Sequence, residues 1–478
     1  MLYPIFLIPL LGGAAAYFFP SNRFRPLLLP VFSLAQLLCV LNVLGQNDLS
    51  AAQGWLYLDP LGKLVLLVVS VLFFVCFLYA PAYLLTRLER SNRVLCSCLL
   101  FLLALLSLVA LSRQLGLMWV AIEATSLVSA PLIYFNHNNR SIEAAWKFLL
   151  VCSVGIALAL LGSFFLGYSS LVGGVPPTLM MDDLARSAGS LSKPWLHAAF
   201  AALLVGYGTK MGLAPLHTWK PDAYGESPGL VGALMAGGIT SCAFLAVLRV
   251  TKILHAAGEG AFADRALLGL GLLSIAFGAV FMARQKDFKR MLAYSSVEHM
   301  GILVLGVSLG GIGIFGSFLH LINNALSKGI LFLSSGNIHR AYNSKSTDEV
   351  SGAIRRLPVS GYLFLIGFIA ITGSPPFGPF VSEFTILRAS FESHQYLIGG
   401  TFLFLLMVVF MGMGSTVLAV CLGEPSAAAS KSAHFRDSFF LTFPPLILLG
   451  MVLLMGVYIP DPLMKLIQDA VDYWRSAP

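Results

Sequence analysis

The chain has 478 residues, 58% of them hydrophobic and only 11% charged, with a formal net charge of +8. Soluble domains carry about 25% charged residues, so this composition excludes a water-soluble globular enzyme and makes a lipid bilayer the solvent. The positive balance is then a matter of loop charge and membrane orientation, and it is no argument for a nucleic-acid partner.

In chain order, apolar stretches long enough to cross a bilayer fall at about 3–19, 26–44, 61–84, 94–111, 115–135, 146–168, 195–215, 228–249, 265–283, 291–310, 312–335, 360–390, 395–422 and 437–459. They predict an all-α polytopic membrane protein with about fourteen transmembrane helices in one domain, residues 1–478. No basic residue precedes Arg23, so 3–19 is expected to be a retained span, not a cleaved signal. Beyond the last stretch, "DPLMKLIQDAVDYW" places Leu463, Ile467, Val471 and Trp474 on one face, and a short interfacial helix is expected at about 461–475.

Basic residues set the expected topology. Of the thirty Lys and Arg, eighteen fall in the odd-numbered connections, among them Arg23, Arg87, Lys147, Lys220, Lys286, Lys345 and Lys431. The excess predicts that these connections are cytoplasmic and that both termini are external. Arg284, Lys286, Lys289 and Arg290 form the densest basic cluster, expected as a positive-inside anchor. Glu143 and Lys147, four apart, are expected to pair at the membrane surface. Cys39, Cys76, Cys96, Cys98, Cys152, Cys242 and Cys421 show no C-x-x-C or iron–sulfur spacing. They are expected to be buried apolar residues, and no cofactor or metal site is expected in this chain.

Charges inside the apolar stretches carry the functional signal. A charge at the bilayer centre costs about 2.5–3.5 kcal/mol on insertion scales, yet Glu123, Lys210, Lys328 and Glu383 occupy four separate stretches. Internal ion pairs or snorkelling would be structural explanations. Two acids and two bases over four spans fit a proton relay better, because burial brings both lysine and glutamate towards neutral titration. An isolated Glu123 carboxylate needs a basic partner, and Lys210 is the expected one. His320, Asn324 and Lys328 share one helix face at i, i+4 and i+8. His299 joins the relay candidates, as does His217, whose alternative is a cap for freed carbonyls.

Two of these stretches are broken. "KMGLAP" holds Gly212 and Pro215, and "ITGSPP" holds Gly373, Pro375 and Pro376. Proline removes an intrahelical hydrogen bond and glycine loosens the turn, so the seventh and twelfth helices are expected to be interrupted where protein or water can meet the freed backbone. Their separation by five spans is what an inverted five-helix repeat produces, and paired broken helices point to a transport site.

"GTKMGLAPLHTWKPDAYGESP", "RQKDFKRMLAYSSVEHMGILVLG" and "LSKGILFLSSGNI" resemble the antiporter-like membrane subunits of respiratory complex I, Mrp-type cation/proton antiporters and membrane-bound group 4 hydrogenases. "RSIEAAWKFLLVCSVGIALALLG" is most similar to the F subunit of hydrogenase-4 and formate-hydrogenlyase-like complexes. The resemblance implies fourteen helices with inverted repeats at about 94–249 and 265–422. It implies a Glu123/Lys210 pair, a central Lys328 and an exit residue Glu383. The sequence departs from the family at Asn324, where many relatives have histidine, and at Ser241, near where relatives often carry a lysine in the eighth helix.

These observations together predict a proton-translocating membrane subunit of a complex I-like oxidoreductase of the hydrogenase-4 type, in a bacterial or archaeal cytoplasmic membrane. Its partners would be other membrane subunits and a cytoplasmic redox arm, with nickel–iron and iron–sulfur centres in those partners. The alternatives are an Mrp-type Na⁺/H⁺ antiporter subunit and a structural subunit with an inactive relay.

Overall fold

The computed structural model describes residues 1–46, 49–425 and 435–476. Lys431, counted above among the cytoplasmic residues, lies outside them. The first apolar stretches form α1 (Tyr3–Phe18), α2 (Leu28–Leu44), α3 (Pro60–Leu85), α4 (Arg93–Leu111), α5 (Leu115–Ile133) and α6 (Asn139–Val172). Between α2 and α3 a short hairpin pairs Ser50–Ala51 with Leu56–Tyr57. Asp59 caps α3 through the Gly62 N–H, and Asn138 and Ser141 close a reciprocal capping box on α6.

A small helix α7 (Met181–Arg186) precedes the first broken unit, α8 (Lys193–Met211) and α9 (Lys220–Glu226). The next stretch runs through α10 (Gly229–Leu234), a π-helical turn at Met235–Ile239 and α11 (Thr240–Ala256). Then come α12 (Gly260–Met282), α13 (Phe288–Leu309) and α14 (Ile312–Tyr342). After the short α15 (Ala353–Arg356), the second broken unit is α16 (Pro358–Ile371) with α17 (Gly378–Glu392). The chain closes with α18 (Tyr396–Cys421), α19 (Phe439–Val457) and α20 (Asp461–Arg475).

Among the described residues, ten helical segments are long and apolar enough to cross a membrane by length and composition, fewer than the fourteen apolar stretches of the sequence. The difference has physical causes. Helices α1 and α16 are apolar but short, at 16 and 14 residues. Helices α8 and α14 carry Lys210 and Lys328 with further polar residues, and neither is among the ten.

Small residues bring the central helices together. A Cβ at Gly206 of α8 would sit 2.6 Å from the Gly155 carbonyl oxygen of α6. Gly271 of α12 and Gly301 of α13 approach as closely, with a Cβ at Gly301 reaching 2.6 Å from the Gly271 carbonyl. Helix pairs without a hydrophobic drive between them associate by this kind of backbone approach. The span containing α10 and α11 is wholly buried, as is nearly all of α13 and α14, so these form the centre of the molecule. Helix α20 buries Ile467, Val471 and Trp474 in the main core, with Leu463 partly buried.

Candidate functional site

The two breaks form as local chemistry demands. Helix α8 ends at Gly212, whose φ of +79° suits glycine alone, and the Ala214–Pro215 peptide follows in the cis form. Helix α16 ends before Gly373, at φ +66°, followed by a cis Pro375–Pro376 bond. The freed backbone of the first break is met by protein. The Trp219 indole donates to the Thr209 carbonyl at 2.9 Å, and the Ala214 N–H donates to Ser274 Oγ at 2.9 Å. His217 therefore does not serve as the cap for these groups. Its ring stands among Phe277, Phe281 and Tyr294, and its Nδ1 has no hydrogen-bond partner among the described residues.

At the α5–α8 end, Lys210 is buried and its ammonium donates to Ser126 Oγ at 2.7 Å, with Nζ 4.9 Å from the centre of the Phe148 ring. Ser126 in turn lies 3.3 Å from Glu123 Oε2, and Ser153 donates to Glu123 Oε1 at 2.9 Å. The direct Glu123–Lys210 partnership expected from the sequence is thus replaced by a hydroxyl bridge. Glu123 does not face the bundle interior either. It is partly exposed, on the side of α5 that carries the exposed Val120 and Leu127, while α8 turns Lys210 inward.

Lys220, counted above in an odd-numbered connection, is fully buried, and its ammonium reaches Ser296 Oγ at 3.2 Å and the Ser296 carbonyl at 3.4 Å. The cause is the break, which folds the "HTWKPD" segment back into the bundle as the start of α9. Lys289 behaves similarly. It is not a solvated member of the basic anchor, because its ammonium is buried on the Gly225 and Ser227 carbonyls. Arg290 pairs with Asp222, Lys286 with Asp348 at 2.9 Å, and Lys345 bridges Glu226 at 2.6 Å and Asp287 at 3.3 Å. Asp222, Glu226, Lys286, Asp287, Arg290 and Lys345 line a polar cavity of about 950 Å³ at one end of the bundle. Glu143 and Lys147 pair at 2.6 Å, exposed, as expected.

At the centre, Lys328 is buried on α14 and donates to Ser295 Oγ of α13 at 2.7 Å. From there buried ionisable groups continue. Glu298 Oε2 lies 3.3 Å from His299 Nε2; His299 Nδ1 lies 3.0 Å from His320 Nε2; His320 Nδ1 lies 3.0 Å from Ser382 Oγ. Glu383 follows on α17, buried, its Oε1 without a hydrogen-bond partner among the described residues. Donor atoms of His299, His320 and Glu383 lie within 4.8 Å of one another, a spacing that could also accept a cation. The side-chain amides of Asn323 and Asn324 are buried and have no hydrogen-bond partner among the described residues.

The structure thus gathers Lys328, His299, His320 and Glu383 into one cluster and sets Glu123 and Lys210 as a second. Among the buried charges that escaped the sequence reading are Lys220 and Glu298. Both sit in short polar runs, "HTWKPD" and "SSVEHM", that look like span ends.

Comparison with known proteins places this geometry. Residues 112–411 match the family described as NADH:quinone oxidoreductase/Mrp antiporter, TM. The hydrogenase-4 component F homolog of Methylacidiphilum infernorum is 30% identical over 476 residues, covering 97% of this chain and 98% of its own. Among solved structures, a chain of the Mrp complex from Dietzia sp. DQ12-45-1b superposes with a TM-score of 0.87 at 19% identity, over 99% of this chain and 97% of that one. A chain of respiratory complex I from Thermus thermophilus, with bound NADH, gives 0.83 at 23% identity over the full length of both. The chain is therefore a member of the NADH:quinone oxidoreductase/Mrp antiporter membrane family.

Proposed function

We propose that this chain is the proton-translocating membrane subunit of a complex I-like oxidoreductase of the hydrogenase-4 type. Its partners are other membrane subunits and a cytoplasmic redox arm, which carries the nickel–iron and iron–sulfur chemistry. The single observation that supports this most is the set of buried lysines and Glu383 left without a neutralising ion pair among the described residues. Lys210, Lys220 and Lys328 each rest on a serine, and Glu383 keeps an unpartnered oxygen. Evolution toward stability alone would pair such charges or replace them with apolar residues.

In this reading Glu123 exchanges protons at the lateral face of α5 and Lys210 receives them through Ser126. Lys328 is the central store. His299, His320 and Glu383 form the outgoing branch beside the second break, with His217 as a gating group beside the first. Asn323 and Asn324 hold water, since a buried amide left unsatisfied loses about 1–3 kcal/mol. The inverted repeats at 94–249 and 265–422 supply the two halves, and the cytoplasmic side is the one that carries Lys286, with both termini external. Helix α20 lies at the membrane interface.

The test is the proton-to-electron ratio of the native complex reconstituted in vesicles, with redox turnover and subunit content measured in parallel. Lys328→Ala should assemble normally and lose proton movement by at least tenfold. An assembled Lys328→Ala complex that pumps at the wild-type ratio would leave the structural-subunit reading in its place. A vesicle signal that requires sodium would move the assignment to a Na⁺/H⁺ antiporter module.

A further inference from the structure

Lys220 has no part in the roles assigned above, yet it is among the most deeply buried charged side chains of the protein. Its hydrogen bonds go only to Ser296, and no acid pairs with it among the described residues. A lone ammonium in such a place is costly, and a leucine would fill the same volume more cheaply.

The two breaks treat an ionisable side chain alike. A Cβ on Gly212 would overlap Lys220 Cε and lie 2.8 Å from its Nζ; a Cβ on Gly373 would overlap Glu383 Oε2. In both breaks a left-handed glycine leaves open the space that receives the charged end of a residue from the half-helix downstream. Lys220 opens α9 just as Glu383 stands in the early turns of α17. The neighbours on α13 complete the arrangement. Ser296 receives Lys220 and the adjacent Ser295 receives Lys328, and the two ammonium groups lie within electrostatic range of each other. Cys152 lies in electrostatic range of both Lys210 and Lys220, so the two lysines share one buried neighbour.

We propose that Lys220 is the exchangeable base of the first break, the counterpart of Glu383, and that it passes protons between the Lys210 end of the path and Lys328. The inference rests on the proton-translocation reading above. In the transfer, one N–H bond of the Lys220 ammonium breaks with its electron pair kept on nitrogen. The proton moves by way of the Ser296 and Ser295 hydroxyls and forms an N–H bond on a neutral Lys328 amine. Charge moves from one Nζ to the other and nothing is oxidised.

The experiment uses the intact complex in vesicles, with proton-to-electron ratio, redox turnover and subunit content as readouts. Lys220→Met keeps the length and removes the exchangeable proton; it should assemble and lower proton movement by at least tenfold, as Lys328→Ala does. Lys220→Arg keeps the positive charge but cannot release its proton, and it should not restore movement. If Lys220→Met pumps at the wild-type ratio while Lys328→Ala does not, the inference on Lys220 is overturned and the relay stands. If both pump normally, the relay itself falls. Wild-type pumping by Lys220→Arg would make Lys220 a fixed charge and overturn its exchange role. Should Lys220→Met fail to assemble, Ser296→Ala decides: loss of proton movement supports the path, and an unchanged ratio overturns it.

Discussion

Ser126 is the smallest group in the site on which much depends. It accepts from Lys210 and lies beside Glu123, so it is the contact between the lateral carboxylate and the first internal base. A hydrogen bond to a charged group contributes about 1.5–3 kcal/mol. If that contact is part of proton transfer, Ser126→Ala should slow proton movement by about 10–100-fold with assembly intact, and Ser126→Thr should retain most of it. Stopped-flow measurement of vesicle acidification checks this, and an alanine variant as fast as wild type would remove Ser126 from the path. The residues that sequence alone exposed were the charges inside long apolar runs, Glu123, Lys210, Lys328 and Glu383. What hid Lys220 and Glu298 was context. A lysine beside Trp-Lys-Pro-Asp looks solvated until the break is known to fold it inward, and only the tertiary arrangement shows that Ser126 intervenes where a direct ion pair was expected.

At the scale of the helix, α6 and α8 pack closely, because Gly155 and Gly206 let the two backbones touch. Gly206→Val would push a branched side chain into the Gly155 carbonyl, and overpacking of this kind destabilises by about 1–3 kcal/mol. The expected outcome is a complex with less of this subunit in the membrane and a lower thermal midpoint. Gly450→Ala, which meets nothing within 4 Å, should change neither. Differential scanning fluorimetry of the purified complex separates the two, and an unshifted midpoint for Gly206→Val would show that α6 and α8 can part without consequence. Such contacts were not legible in the sequence, where 45 glycines are spread along the chain and only the Gly-x-x-Pro pairs stand out. Helix positions were legible, because apolar length is a direct requirement of the bilayer. The count of crossings was less so, because α8 and α14 trade apolarity for the polar residues of the path.

For the whole molecule, the polar cavity beside α9 and α13 marks one end of the bundle, and its rim gathers Arg87, Arg140, Lys286 and Arg290. Basic excess on one side predicts that this end faces the cytoplasm. In a cysteine-free background, Lys286→Cys should react with a membrane-impermeant maleimide in inverted vesicles and stay unlabelled in intact cells. Labelling from outside intact cells would reverse the orientation of every element described here. The same rim binds its members tightly, with Lys345 held by Glu226 and Asp287 and Arg290 by Asp222, so the cavity keeps its shape by ion pairs, whereas Lys210, Lys220 and Lys328 have no carboxylate partner among the described residues.

That contrast bears on the direction in which the machine can run. A carboxylate opposite Lys210, Lys220 or Lys328 would hold the proton on the lysine and make release the slow step in one direction. A serine hydroxyl can donate or accept after a turn about a single bond, so it favours neither the loaded nor the unloaded base. On the proposed relay, the subunit therefore has no ratchet of its own at these three lysines. On the proposed function, the direction of proton flow would then be left to the balance between the redox reaction of the partner subunits and the electrochemical gradient, and such a complex should run backwards when the gradient is made large enough.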